Sequence, residues 1–176
     1  MAELNRISPE EFKHTEKIPL IIVLDNVRSL NNIGSIFRTC DALGVEAIYL
    51  CGISATPPHA EIHKTALGAE ESVIWKYFDD ATKALNALKD NGYCIYALEQ
   101  TTSSIDLRDF KPEAKGKYAL VFGNELKGVS QQSLDLCDGT IEIPQFGTKH
   151  SFNVAVTAGI TIWDFFTKTV NTDSLS

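Results

Sequence analysis

The run Leu20-Ile21-Ile22-Val23-Leu24, which follows Pro19, limits the possible folds more than any other feature of this chain. Its apolar, mostly β-branched residues occupy both parities of a strand, so both faces of that strand must be buried; this is the situation of a strand inside a parallel sheet with helices on each side. Similar runs recur and predict strands at Ala47-Ile48-Tyr49-Leu50, Val73-Ile74-Trp75, Cys94-Ile95-Tyr96-Ala97-Leu98, Tyr118-Ala119-Leu120-Val121-Phe122 and Thr140-Ile141-Glu142-Ile143. Helical stretches near 33–42, 60–67 and 79–90, a short piece after 122 and a last helix from about 153 to 168 fall between or after them. Such alternation predicts an α/β fold, doubly wound, with a mostly parallel sheet and helices on both faces. At the start, Ser8-Pro9-Glu10-Glu11 has the N-cap, first-turn proline and capping-box acid of a short helix over about 8–15.

A length of 176 residues is that of one domain, 1–176, and 44% apolar with 22% charged residues is ordinary for a globular protein. The net charge of −7 argues against a protein that coats nucleic acid without specificity, although a local basic patch is still possible. Met1-Ala2-Glu3-Leu4-Asn5-Arg6 lacks the charged-then-apolar pattern of a secretory signal and no run is long enough to span a membrane, so a cytoplasmic protein is expected. Cys40, Cys51, Cys94 and Cys137 are scattered with no C-x-x-C pair, which predicts reduced structural thiols and no metal. His59 and His63 are four apart but have no third ligand nearby, and are read as surface residues.

Three segments carry the candidate chemistry. Asn26 to Gly44, containing Asn31, Asn32, Gly34 and Arg38, follows a buried strand and opens a helix, the place where open α/β sheets bind ligands. Asn32 near the helix start and Arg38, tilted back toward it, are expected to reach one pocket; the plainer alternative is that Asn31 or Asn32 caps the helix and Arg38 pairs with an exposed carboxylate. In Phe122-Gly123-Asn124-Glu125-Leu126-Lys127-Gly128, Gly123 is expected to admit a ligand and Glu125 to turn into the cleft, against a tight turn with left-handed Gly128 and a solvated Glu125. In Ile143-Pro144-Gln145-Phe146-Gly147-Thr148-Lys149-His150-Ser151-Phe152-Asn153, Ser151 is read as the N-cap of the last helix with Asn153 just inside it. Neither a Walker loop nor G-x-G-x-x-G is present, which leaves nucleoside-triphosphate and dinucleotide chemistry without support.

Taken together, Asn32…Gly34…Arg38, Phe122-Gly123-x-Glu125-x-x-Gly128 and Ile143-Pro144…Ser151-x-Asn153-Val154-Ala155-Val156 resemble, in order and spacing, the three motifs of the SpoU/TrmH branch of the SPOUT RNA 2′-O-ribose methyltransferases. The likeness covers about 20–168. It implies a C-terminal deep trefoil knot over about 118–168 and S-adenosyl-L-methionine held around Leu98, Gly123, Ile143 and Phe152, the last where relatives often have leucine. It also implies a homodimer formed through the knot region, to which the last helix, apolar all round from Val154, Ala155 and Val156 through Ile160, Ile162, Trp163, Phe165 and Phe166, would contribute; the plainer alternative is a core helix of the monomer.

Carried over to these positions, the resemblance makes Arg38 the contact to the target ribose and its phosphate, with Asn32 positioning the ribose and Glu125, Ser151 and Asn153 ordering the pocket. A guanidinium keeps its proton in a protein, so an electrostatic role is assigned to Arg38 in place of general base. Arg28, Lys64, Lys127, Lys149 and His150 are the candidate RNA contacts. The chain lacks the extra RNA-binding domain of larger relatives and ends in the polar tail Val170-Asn171-Thr172-Asp173-Ser174-Leu175-Ser176, which suggests a minimal catalytic domain and favours tRNA over ribosomal RNA. The alternatives left open are the same reaction on ribosomal RNA and a noncatalytic RNA-binding protein that keeps the fold.

Overall fold

A computed structural model describes residues 7–170; the terminal segments read above lie outside them. The elements follow in the order α1 (Pro9–Lys13), β1 (Ile18–Asp25), α2 (Leu30–Ala42), β2 (Val45–Cys51), α3 (Ala60–Ala66), α4 (Ala69–Ser72), β3 (Trp75–Phe78) and α5 (Ala81–Asp90). Then come β4 (Cys94–Leu98), β5 (Ile105–Asp106), β6 (Tyr118–Gly123), α6 (Gln131–Leu136), β7 (Gly139–Glu142) and α7 (Val154–Thr169). The strands form one sheet in the order β3-β2-β1-β6-β4-β7-β5, parallel at every pairing.

β1 is buried from Leu20 to Asp25, as its composition requires. Its side chains alternate between two cores. Leu20, Ile22 and Leu24 join Ile33, Phe37, Ile62, Ile162 and Phe165 on one face, while Ile21 and Val23 join Ala84, Leu85 and Leu88 on the other. α2, α3 and α7 therefore cover one side of the sheet and α5 the other. This is the double winding predicted from the apolar runs.

The strand order also shows a late insertion. β6 lies between β1 and β4, and β7 between β4 and β5, so the C-terminal third of the chain enters a sheet whose flanking strands precede it in sequence. α7 then packs back on α2 and β6. Such an insertion is what threading of the chain end requires.

Several boundaries differ from the sequence reading, each for a local reason. α1 stops at Lys13, although its capping box forms as expected, with Ser8 Oγ accepting from Glu11 N and the Glu11 carboxylate from Ser8 N. The third strand is Trp75–Phe78, shifted from 73–75, because Val73 closes the short helix α4 and turns into the core. β3 is an edge strand whose central Lys76 and Tyr77 are exposed, so it has no apolar run to announce it. The two-residue strand β5 has too little pattern to read.

Phe165 is 1% exposed and its ring meets Tyr118 edge-on at 5.5 Å, joining α7 to β6. Phe165→Ala should lower the unfolding free energy by about 3–5 kcal/mol through lost burial and the cavity left behind, as measured by urea denaturation.

Candidate active site

The sheet register explains why the three segments meet. Asp25 pairs with Gly123 at the ends of β1 and β6, so the chain after each strand leaves the sheet beside the other. Leu98 pairs with Ile141, which brings the end of β4 and the end of β7 to the same carboxyl edge. Ligands of open parallel sheets bind at such an edge.

Glu125 connects these loops. Its carboxylate accepts hydrogen bonds from Arg28 N at 2.9 Å, Ser29 N at 2.9 Å and Asn32 Nδ2 at 3.2 Å. Asn32 Oδ1 in turn accepts from Asn153 Nδ2 at 3.1 Å. A chain of side chains thus runs from the loop after β6, through the start of α2, to the start of α7. Burial alone would raise the Glu125 carboxyl, but the N–H groups of Arg28 and Ser29, its own N–H and the Asn32 amide outweigh it and hold the group below its ordinary range. The tight turn with left-handed Gly128 forms as in the plainer alternative and Glu125 is exposed, but its carboxylate is bonded to the start of α2 and is not free in solvent.

Asn153 is itself the N-cap of α7, its Oδ1 accepting from Ala155 N at 2.9 Å and Val156 N at 3.3 Å. This corrects the assignment of Ser151 as cap: the helix begins later, at Val154, and Ser151 is an exposed loop residue lining the cleft. It also accounts for an asparagine at this point, since the side chain serves the helix with its oxygen and Asn32 with its nitrogen. At the start of α2 the cap is Ser29, whose Oγ accepts from Asn32 N at 3.2 Å. Asn32 is thereby free of capping and available to the network.

The cleft beside this network has a volume of about 820 Å³, within the range of roughly 300–1,000 Å³ usual for small-molecule sites. Leu98, Gly123, Ile143 and Phe152, the residues expected to hold S-adenosyl-L-methionine, all line it, together with Phe122 and Ile141. Apolar walls next to polar groups and the cations Lys127 and Lys149 suit a ligand with a base, a sugar and an amino-acid end. Gly123 has a further purpose besides lining the cleft. A Cβ there would lie 2.1 Å from the Gly128 carbonyl carbon and 2.2 Å from Val129 N, so its missing side chain lets the loop fold back on β6. Gly34 has a similar use: a Cβ would meet Thr65 Oγ1 at 2.1 Å and Ile62 O at 2.3 Å where α2 crosses α3.

Arg38 stands apart. It is exposed on α2, takes part in no ion pair among the described residues and does not line the cleft. Six residues beyond Asn32, it is turned about 120° around the helix, too far for both to face one pocket of the same chain. Of the candidate RNA contacts, Lys127, Lys149 and His150 line the cleft. Arg28 is exposed next to it and gives its N–H to Glu125, whereas Lys64 pairs with Glu61 at 2.5 Å on α3. His59 caps α3 and His63 meets Glu70 at 2.5 Å, so both have structural partners.

Residues missed by the sequence reading form a second layer. Asp25, 2% exposed, accepts from Asn26 Nδ2 at 2.8 Å, Ser130 N at 3.1 Å and Ser130 Oγ at 2.8 Å. Asn124 Nδ2 donates to Asn26 O at 2.8 Å, and its Oδ1 accepts from Leu126 N and Lys127 N. These bonds tie the first two loops to each other. One signal was available: an aspartate ends an otherwise apolar strand at the edge where ligands bind.

The fold and site define a parallel α/β protein with a small-molecule cleft at the sheet's carboxyl edge, walled by a glutamate–asparagine–asparagine network. Residues 19–163 match the family model described as the SpoU rRNA Methylase family, and the chain belongs to that family. A tRNA (guanosine(18)-2′-O)-methyltransferase of Thermus thermophilus is 33% identical over 163 residues, covering 92% of this chain and 81% of that protein. The structure described as the A. aeolicus TrmH/SpoU tRNA modifying enzyme superposes with a TM-score of 0.80 at 29% identity, over 91% of this chain and 80% of the other. An AdoMet-bound rRNA methyltransferase from Sinorhizobium meliloti gives a TM-score of 0.80 at 25% identity, over 94% of this chain and 62% of the other.

The lowered pKa has a definite pH sign. Because the Glu125 carboxyl titrates below its unfolded value of about 4.3, it adds stability that is fully present above that pH and is lost as pH falls through the folded pKa. Glu125→Gln should therefore be less stable than wild type at pH 7, with the gap narrowing below about pH 4; urea unfolding at both pH values checks it.

Proposed function

We propose that this chain transfers a methyl group from S-adenosyl-L-methionine to a ribose 2′-hydroxyl of RNA, with tRNA as the substrate, working in the cytoplasm as a homodimer of single-domain subunits. The observation that carries this reading is the convergence of Asn32, Glu125 and Asn153 on the wall of a cleft lined by Leu98, Gly123, Ile143 and Phe152. Family membership supplies the reaction class, and the similar Thermus protein, named for 2′-O-methylation of tRNA, supports the choice of substrate. The trefoil implied by the resemblance is assigned to the inserted strands β6 and β7 and the return of α7.

S-adenosyl-L-methionine supplies the electrophilic methyl group. Leu98, Ile143 and Phe152 provide the apolar walls for it, while Lys149, His150 and Ser151 flank the same opening where RNA would approach. Glu125, held ionised by its donors, orients the Asn32 amide, and Asn153 orients it from the other side. Each amide keeps one N–H free for a ribose or phosphate oxygen of the target. Fixed dipoles of this kind align the nucleophile without reorganising during the reaction.

Arg38 acts by charge, stabilising the oxygen as it loses its proton to a phosphate oxygen or water. Its position outside the cleft of its own chain fits a dimer in which a second copy presents it. Val156, Ile160 and Trp163 form an exposed apolar face on α7, 49%, 38% and 56% exposed, and α2 packs against that helix. Burying this face would bring α2 of each subunit close to the interface.

Incubation with labelled cofactor and total tRNA or ribosomal RNA, followed by nucleoside analysis, tests the reading. Label in 2′-O-methylnucleosides of tRNA is expected. Label in ribosomal RNA alone would overturn the substrate, and label in neither would favour a noncatalytic role. Arg38→Ala should lower turnover by about 10²-fold or more, with cofactor affinity unchanged by calorimetry; loss of cofactor binding in a folded variant would contradict its assigned role.

A further inference from the structure

We propose that Glu99 is a cofactor-binding residue that receives the ribose hydroxyls of the methyl donor on its free carboxylate oxygen; this rests on the methyltransferase reading above and extends it to a residue outside the three motifs.

Glu99 is the first residue after β4, at the carboxyl edge of the sheet, and it lines the cleft. Its N–H donates to Ile141 O at 3.1 Å, which holds its backbone against β7. Its Oε2 accepts from Val129 N at 3.0 Å, across in the loop after β6. Glu99 therefore connects the end of β4 to β7 through its backbone and to the loop after β6 through its side chain. The carboxylate lies against the bare backbone of Gly128, which is left-handed at φ +70°; a Cβ there would approach Oε2 to 2.5 Å and Oε1 to 3.2 Å. The glycine thus makes the space that the carboxylate fills.

The remaining oxygen sets Glu99 apart from its neighbours. Asp25 has donors on both oxygens and Glu125 has donors on both, whereas Oε1 of Glu99 has no hydrogen-bond partner among the described residues and is not sealed from solvent. No lysine or arginine pairs with Glu99 among the described residues. Glu142 also lines the cleft, but no hydrogen bond fixes its carboxylate among the described residues. Glu99 is the acceptor that is both anchored and open. Such a group binds without losing rotamer freedom, which makes it the more effective ligand.

The chemistry of the cleft selects the ligand group. Leu98 and Ile143, both partly exposed, line the same cleft as Glu99 and offer apolar surface suited to a purine base. The sugar is the part of a nucleoside joined directly to the base, and its vicinal hydroxyls are donors matched to a carboxylate. The same solution occurs where an acidic residue in a parallel α/β site takes a nucleotide ribose hydroxyl. Lys127 and Lys149 are the cations in the cleft and suit the carboxylate at the amino-acid end of the ligand. A ligand lacking the diol would leave Oε1 covered and unpaired, so the residue also confers selectivity.

The test is calorimetry of the whole protein with S-adenosylhomocysteine and with its 2′,3′-dideoxy analogue. Wild type should prefer the diol by roughly tenfold or more, the usual effect of a hydrogen bond to a charged group. Glu99→Ala should bind both ligands about equally. If Glu99 only braces Val129, the variant weakens both ligands in proportion and the preference survives, which would overturn the proposal, as would its absence in wild type. Should Glu99→Ala fail to fold, Glu99→Gln serves in its place: it has the same size, can accept from Val129 N and offers the ribose an amide donor instead of an acceptor, so the preference should again fall. Failure of wild type to bind S-adenosylhomocysteine at all would defeat the methyltransferase reading itself, and this proposal with it.

Discussion

The whole site depends on one carboxylate that reaches across the break between two strands. Glu125 takes both backbone N–H groups at the end of the Arg28–Ser29 turn and the Asn32 amide, and so makes one rigid wall of two loops that share only the sheet edge. Without an anion at this point the unpaired N–H groups would face the cleft, and their loops would have no common anchor. Asn153 extends the wall to α7 because capping leaves its amide nitrogen free to donate to Asn32. Stability and function therefore meet in the same hydrogen bonds.

The parallel sheet puts that wall in place. Pairing of Asp25 with Gly123 and of Leu98 with Ile141 brings four chain exits to one edge, and the buried Asp25 carboxylate holds the loop after β6 through Ser130. Acceptors at the sheet edge then divide their work. Asp25 and Glu125 are saturated by protein donors and maintain the architecture, while Glu99 keeps a free oxygen toward the ligand. Their different hydrogen-bond occupancy gives these similar side chains different roles.

Much of the fold was legible because burial on both faces leaves a plain mark: the runs at 20–24 and 118–122 could be little else than central strands. The edge strand β3 was misplaced for the converse reason, since half-exposed residues such as Lys76 and Tyr77 carry no such pattern. At the site, Asn32, Glu125 and Asn153 were legible through their spacing as a set, but the cap of α7 was not. Ser151 and Asn153 are equally good capping residues, and only the position where the helix begins decides between them. Arg38 exposes a further limit: a sequence gives its place on a helix, but which subunit's cleft it serves depends on how two copies pack. The second layer of Asp25, Asn124 and Glu99 was hidden because each makes contacts about 30 to 105 positions away in the chain.

Amide hydrogen exchange at Arg28 and Ser29 is the most direct test of the Glu125 clamp. Both amides should be protected in the wild-type protein and should exchange much faster in Glu125→Ala, while those of β1 and β6 keep their protection. Fast exchange at both positions in wild type, or protection that survives in the variant, would show that the carboxylate does not hold these loops together.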